Sequence, residues 1–110
     1  MATLRFLYIG DVVGKAGRSA VTQLLPGLRA ELKLDAVCMN AENMAHGNGI
    51  SEATVTEMRT AGVDYFSSGN HVFDNKDGVE YLKRSDCRVI RPANFPKVNP
   101  GKGYITFEVG

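Results

Sequence analysis

Apolar residues form alternating short and long clusters along the chain, a pattern typical of strands alternating with amphipathic helices. Leu4–Ile9 is apolar almost throughout and rich in strand formers, which favours a central strand covered on both faces. Arg18–Leu34 places its apolar residues on one helical stripe, with Ser19 as the predicted N-cap. Because Pro26 lies inside this segment, we expect a kink there or two short helices.

The same alternation continues to the end of the chain, with turn-forming residues between the clusters. Four further segments have the composition of strands: Asp35–Asn40, Val63–Ser68, Cys87–Ile90 and Tyr104–Val109. Two segments have helical spacing: one that Ser51 caps and Gly62 ends, and Asn75–Ser85. The resulting order β-α-β-α-β-α-β-β predicts an α/β fold with a mostly parallel sheet and right-handed crossovers.

Composition narrows the class of protein without fixing its function. The chain has 110 residues, 44% of them apolar and 23% charged, which fits one soluble globular domain. Its net charge of +1 gives no indication of stable nucleic-acid binding or of an anionic membrane partner. No apolar run is long enough to span a bilayer. Cys38 and Cys87 lack zinc-type spacing, and no signal peptide is evident, so we expect a cytoplasmic protein with Cys38 as a buried thiol.

Polar side chains follow three predicted strands, directly after each strand ends. Asp11 follows the first strand, Glu42 and Asn43 the second, and Asn70 and His71 the third. The carboxyl ends of parallel strands meet at one edge of a sheet, where ligands of such folds bind. Carboxylate and amide oxygens suit magnesium, manganese or iron better than zinc alone. Two such ions could bridge a phosphate and activate water, and His71 could protonate a leaving oxygen.

Each of these residues also has a simpler explanation. Asp and Asn are common after strands because they form turns, and a single histidine can cap a helix or pack. The glycine-rich segment 10–17 matches neither a dinucleotide fingerprint nor a P-loop, and Lys15 and Arg18 are expected to be solvated surface charges. Three interpretations therefore stay open: a metal-dependent hydrolase, a non-catalytic nucleotide-binding or assembly module, and a plain α/β domain with turn residues at its strand ends.

Four motifs, in order and spacing, resemble those of the bacterial YmdB-like metallophosphoesterases, a phosphodiesterase branch of the calcineurin-like superfamily. The motifs are Gly10-Asp11-Val12-Val13-Gly14, Asn40-Ala41-Glu42-Asn43, Gly69-Asn70-His71-Val72-Phe73-Asp74 and Arg91-Pro92-Ala93-Asn94-Phe95-Pro96. Each motif is weak by itself, whereas the four together are specific and run over essentially the whole chain.

The resemblance implies a calcineurin-like α/β/β/α sandwich, of which this chain supplies the first, mainly parallel βαβαβα half. It also implies two divalent metal ions, manganese, iron or magnesium, and hydrolysis of phosphate esters such as cyclic nucleotides. Asp11 would bind the first metal, Glu42 would bridge or bind both, and Asn43 would be a further ligand of the first. Asn70 would bind the second metal, and catalytic His71 would act on the phosphate or the leaving group.

Two departures from the wider superfamily qualify this resemblance. Asp11 is followed by Val12-Val13 rather than by the Asp-x-His pattern of most calcineurin-like enzymes, which narrows the match to this branch. The remaining histidine ligands of the family lie in its C-terminal part, and this chain has only His46 and His71. We therefore expect residues 1–110 to be the truncated N-terminal part of a single domain, with little activity alone. Such a half-sandwich leaves one sheet face bare, which would favour homo-oligomers.

Overall fold

The computed structural model describes residues 3–109 and contains a three-stranded parallel sheet in the order β1-β2-β3. Its strands are β1 (Phe6–Ile9), β2 (Ala36–Asn40) and β3 (Tyr65–Ser67). Its helices are α1 (Gly14–Glu31), α2 (Glu52–Ala61) and α3 (Lys76–Leu82), with a short 3-10 helix at Asn70–Phe73. The predicted α/β class, with a mainly parallel βαβαβα order, is confirmed.

The core lies between one face of the sheet and the helices. Leu7 and Ile9 of β1 stand in register with Val37 and Met39 of β2, and Phe66 of β3 pairs with Met39. Val37, Met39 and Phe66 are almost fully buried, and the two β1 residues pack against this core. The buried residues of α1 and α2 belong to the same core cluster as these strand residues, and the two helices pack against each other, so both cover this face. The helices thereby fix the strands and leave their carboxyl ends open.

The opposite face of the sheet is largely bare. Phe6 and Tyr8 are 59% and 54% exposed, and β1 is an edge strand. The prediction of a central first strand covered on both faces was therefore wrong, because the helices occupy only one side of the sheet. A bare face agrees with the expectation for a half-sandwich, while self-association stays a prediction.

Helix α1 differs from its prediction at both its start and its middle. It begins at Gly14 rather than at residue 18, so Ser19 lies inside the helix, and Val13 occupies the N-cap without a side-chain hydrogen bond. A single helix continues through Pro26, so the predicted alternative of two short helices was wrong. Pro26 is exposed, so water can reach the carbonyl that loses its partner. Within residues 3–109, no helix is both long and apolar enough to cross a bilayer.

The caps of the shorter helices follow the sequence closely. Ser51 caps α2 in a reciprocal capping box with Thr54, and Gly62 ends the helix with a φ of 122°. Asn75 caps α3 by accepting a hydrogen bond from the Asp77 amide. Helix α3 ends at Leu82, three residues before the predicted end.

The two last predicted strands are not regular strands in the structure. The Cys87–Ile90 segment forms only isolated bridges, in which the Phe66 amide donates to Arg88 O at 2.9 Å and the Ile90 amide donates to Phe66 O at 3.0 Å. Residues 104–109 form no strand, although Phe107 stacks on Tyr65 with ring centroids 4.1 Å apart. Alternation alone does not make a strand, because its backbone groups need a neighbouring strand to pair with.

The two cysteines are free thiols. Cys87 is buried, whereas Cys38 is only half-buried and lies on the bare sheet face, so its predicted burial was wrong. Burial raises the pKa of both thiols, which keeps them protonated near neutral pH. The chemistry of this chain must therefore be sought elsewhere.

Candidate metal centre

Asp11 lies just past the end of β1 with its side chain in solvent. The next residue, Val12, is buried at 5% exposure, and its amide donates to Asn40 O at 3.5 Å. Burial of the valine anchors this turn against the core and leaves the preceding carboxylate exposed at the edge of the sheet.

Glu42 and Asn43 follow β2 in a tightly bonded turn. The Asn40 side chain accepts a hydrogen bond from the Glu42 amide at 2.9 Å, and the Ala41 amide donates to Ser67 O of β3 at 2.8 Å. Asn43 Nδ2 donates to both carboxylate oxygens of Asp11, at 2.9 and 3.1 Å. The predicted residues from the first two strand ends are thus in direct contact.

The third strand end brings His71 to the same place. The Glu42 carboxylate packs directly on the Cα of Gly69, where a Cβ atom would collide with it. The His71 amide donates to Glu42 Oε2 at 3.4 Å. Val72 is completely buried and anchors the 3-10 helix, whereas Asn70 at its start is exposed. Asp11, Glu42, Asn43 and His71 therefore form one connected cluster, and Asn70 lies beside it along the chain.

The electrostatics of this cluster are those of an uncompensated anionic site. Within residues 3–109, neither Asp11 nor Glu42 forms an ion pair with a lysine or arginine. The pKa of His71 is raised, chiefly by its hydrogen bond to Asp74 and further by the negative charges of Asp74, Glu42 and Asp11. Two carboxylates without a basic partner favour a bound cation.

The donor set fits a hard divalent cation, although it is small. In the described part of the chain, no group of three or more His, Cys, Asp or Glu side chains surrounds one point. The predicted ligands are instead two carboxylates and two amides, and Asn43 Oδ1 is left for a metal because its Nδ2 binds Asp11. Magnesium-like ions take about six oxygen ligands each. Four donors could hold such ions only with further ligands from water, substrate or other polypeptide.

Three residues near the cluster have roles that the sequence patterns did not indicate. Arg18 is no solvated surface charge: its side chain is 13% exposed and donates to Met44 O at 2.6 Å and to Glu57 at 3.0 Å. Asp74 accepts from His71 Nδ1 at 2.8 Å, and Asn48 donates to the same carboxylate at 3.0 Å. Asp74 belongs to the Gly69–Asp74 motif of the sequence analysis, whereas nothing in the sequence indicated that Asn48 would contact it.

A separate cleft of about 650 Å³ lies at the other end of the sheet. Its lining includes Asp35 and Asp64, which precede β2 and β3, together with Arg88 and Phe107. Ligands of parallel sheets bind beyond the carboxyl ends of the strands, and the polar cluster lies there. The cleft at the amino ends is therefore not the candidate site.

Comparison with known proteins supports the resemblance drawn from the motifs. The family of YmdB-like proteins matches residues 7–110. The chain belongs to the YmdB-like family. The matched residues include all five predicted site residues. The cluster therefore lies wholly within the part of the chain that matches the family.

Relatives of this YmdB-like chain include a named enzyme and two solved structures. The 2′,3′-cyclic-nucleotide 2′-phosphodiesterase of Bacillus subtilis strain 168 is 39% identical over 94% of this chain and 39% of its own length. A hypothetical protein from Thermus thermophilus is 41% identical with a TM-score of 0.90, over 97% of this chain and 41% of that one. A structure described as a novel phosphatase, from Mycoplasma pneumoniae, is 35% identical with a TM-score of 0.87, over 98% and 40%. The chain thus spans about two fifths of the length of these relatives.

Proposed function

We propose that this chain contributes the metal-binding edge of a phosphodiesterase that hydrolyses phosphate esters such as cyclic nucleotides. The observation that carries the proposal is the convergence of Asp11 and Glu42 near His71, whose Nδ1 is occupied by Asp74. Among residues 3–109, neither carboxylate forms an ion pair with a lysine or arginine. The phosphodiesterase and phosphatase names of two relatives support the same reaction class.

The metal ligands in this proposal are Asp11, Glu42, Asn43 and Asn70. Two divalent ions, manganese, iron or magnesium, would supply charge for the phosphate oxygens and lower the pKa of water. The chain itself orients the donors: Gly69 and the His71 amide hold the Glu42 carboxylate. Since four donors are few for two ions, we expect weak metal binding and slow turnover by these 110 residues.

His71 supplies the proton for the leaving group in this mechanism. A carboxylate only accepts hydrogen bonds, so the contact with Asp74 places a proton on Nδ1 and leaves Nε2 for the substrate. The raised pKa of His71 increases the fraction of imidazolium near neutral pH. The imidazolium Nε2–H can then donate to the departing alkoxide oxygen as a general acid.

Manganese binding is the first test of this proposal. We expect manganese to stabilise the chain against thermal unfolding, by about 1.4 kcal/mol at a free concentration roughly tenfold above the dissociation constant. Asp11→Asn and Glu42→Gln should reduce this stabilisation, whereas Glu31→Gln, at the exposed end of α1, should not. A wild-type chain that manganese does not stabilise would contradict the metal site.

Hydrolysis of bis(p-nitrophenyl) phosphate tests the reaction itself. We expect slow hydrolysis that requires manganese, and His71→Ala should lower kcat while manganese binding persists. Hydrolysis that continues in chelator would refute a metal-dependent reaction. Nucleotide binding in chelator, without hydrolysis under any condition, would instead support a non-catalytic nucleotide-binding module.

A further inference from the structure

A second cleft, which we call the basic cleft, adjoins the one already described and shares Tyr65 and Arg88 with it. Its volume is about 430 Å³, and its lining comes from the last turn of α2, the start of β3 and the segments after α3. Arg59, Arg88 and Lys102 line it together with Asp86. Three basic side chains against one acidic side chain leave a local excess of positive charge, although the whole chain has a net charge of only +1.

The acidic residue of the basic cleft is already neutralised by a neighbour. Arg84, which does not line the cleft, donates from Nε to Asp86 Oδ1 at 2.9 Å and from Nη2 to Oδ2 at 2.8 Å. These hydrogen bonds lower the pKa of Asp86, so the carboxylate stays ionised and paired. Within residues 3–109, by contrast, Arg59, Arg88 and Lys102 form no ion pair. The described residues therefore leave the positive charge of the cleft uncompensated.

Two of the basic groups are oriented by backbone carbonyls. Lys102 Nζ donates to Ser85 O at 3.3 Å, and Arg88 Nη1 donates to Asp64 O at 3.1 Å. The backbone of Lys102 is fixed as well, because its carbonyl accepts from the Arg91 amide at 2.8 Å. An ammonium has three N–H donors and a guanidinium has five, so each group keeps donors for a ligand. Charged donors that are held in place before binding suit the oxygens of a phosphoryl group.

The aromatic ring at this cleft limits what else a ligand can carry. Phe107 stacks on Tyr65 with ring centroids 4.1 Å apart, and the Arg88 guanidinium lies over the same ring, 4.8 Å from its centroid. Since these two groups cover the ring, Tyr65 offers little open face on which a nucleobase could stack. The basic cleft is therefore suited to a compact phosphate compound rather than to a stacked nucleotide.

We propose that the basic cleft binds compact phosphate compounds, a diphosphate or a sugar phosphate, at the end of the sheet opposite the candidate metal centre. Binding there needs no metal and does not rest on the proposed function. The competing explanation is a solvated basic surface, since Arg59, in the last turn of α2, also complements the dipole of that helix. Such a surface would attract anions only through its net charge.

Titration of the full ¹⁵N-labelled chain with pyrophosphate, in metal-free buffer, tests the site by nuclear magnetic resonance. At low ionic strength we expect a dissociation constant below about 1 mM, with shifted backbone amides at 85–88 and 102–106. Ribose 5-phosphate distinguishes the two sources of the phosphoryl group: tighter binding than pyrophosphate identifies a sugar phosphate, and weaker binding identifies a diphosphate. Uncharged ribose should not bind. The absence of a saturable shift in the basic cleft, or shifts only around Asp11 and Glu42, would overturn the proposal.

Charge variants separate a formed site from the effect of net charge. Arg59→Gln and Lys102→Gln should each weaken pyrophosphate binding roughly tenfold, because each removes a charged donor. Lys83→Gln is the matched control, since Lys83 is an exposed residue at the end of α3 that carries the same charge and does not line the cleft. Equal weakening by all three variants would refute the site. Arg59 and Lys83 are both exposed, so their substitution should leave the backbone amide spectrum of the core unchanged. Because every measurement is made without metal, failure of the proposed metal centre would change none of them.

Discussion

Gly69→Ala is the substitution that most directly tests whether Glu42 is a metal ligand. A Cβ atom built on Gly69 would lie 2.5 Å from Glu42 Oε1 and closer still to Oε2. The backbone is no obstacle, because Gly69 is extended, with a φ of −138° and a ψ of −160°. The substitution therefore acts almost only by displacing the Glu42 carboxylate.

The expected effects on folding and on metal binding differ in size. A rigid clash in a core costs about 1–3 kcal/mol, but here the end of a flexible side chain can rotate away, so the free energy of unfolding should fall by less than about 1 kcal/mol. Misplacing a ligand by a neighbouring change typically costs roughly 10- to 100-fold in metal affinity, or about 1.4 to 2.7 kcal/mol. Manganese affinity should thus fall while the fold persists.

Calorimetric titration with manganese measures this effect, and Gly10→Ala is the matched control. Gly10 also follows a strand and precedes Asp11, but a Cβ atom there meets nothing within 4 Å. Its substitution should leave manganese affinity unchanged. In a Glu42→Gln background, Gly69→Ala should have a much smaller effect, because the displaced carboxylate is already gone. Wild-type affinity in the Gly69→Ala chain would show that the Glu42 carboxylate is not held against this glycine as a ligand.

Three further predictions test the surroundings of the site. Because Asp74 raises the pKa of His71, Asp74→Asn should lower that pKa in a titration followed by nuclear magnetic resonance. Because the pKa of His71 is raised in the folded state, the stabilisation from the His71–Asp74 pair is fully present below the unfolded-state pKa and is lost as pH rises through the folded-state pKa. If Asp74→Asn and the wild type were equally stable at both low and high pH, this linkage would be contradicted. Arg18→Ala should lower the free energy of unfolding by about 1.5–3 kcal/mol in urea denaturation, since the charged hydrogen bonds described above are lost, and an unchanged midpoint would argue against those bonds. Ser51→Ala should lower the free energy of unfolding by about 1 kcal/mol because the N-cap of α2 is lost. Ser19→Ala, inside α1, should leave it almost unchanged, and a larger effect of Ser19→Ala would support the helix start that was predicted from the sequence.

Local sequence patterns determined the class of fold and the members of the candidate site. Periodicity separated strands from helices. The predicted caps of α2, Ser51 and Gly62, were confirmed because a cap depends on backbone groups only a few residues away. The strand-end positions of Asp11, Glu42 and His71 were also sufficient to predict their convergence, because parallel strands share one carboxyl edge. These features depend on residues close together in the chain or on the fold class alone.

Only the tertiary structure decided which sheet face is buried and how the site residues are held. An apolar strand such as Phe6–Ile9 does not encode whether its second face is covered, and here the helices lie on one side. The contacts of Asn48 with Asp74 and of Gly69 with Glu42 join residues more than 25 positions apart. Such pairings follow from strand order, register and loop closure, which are cooperative properties of the whole chain and leave no periodic signal in the sequence.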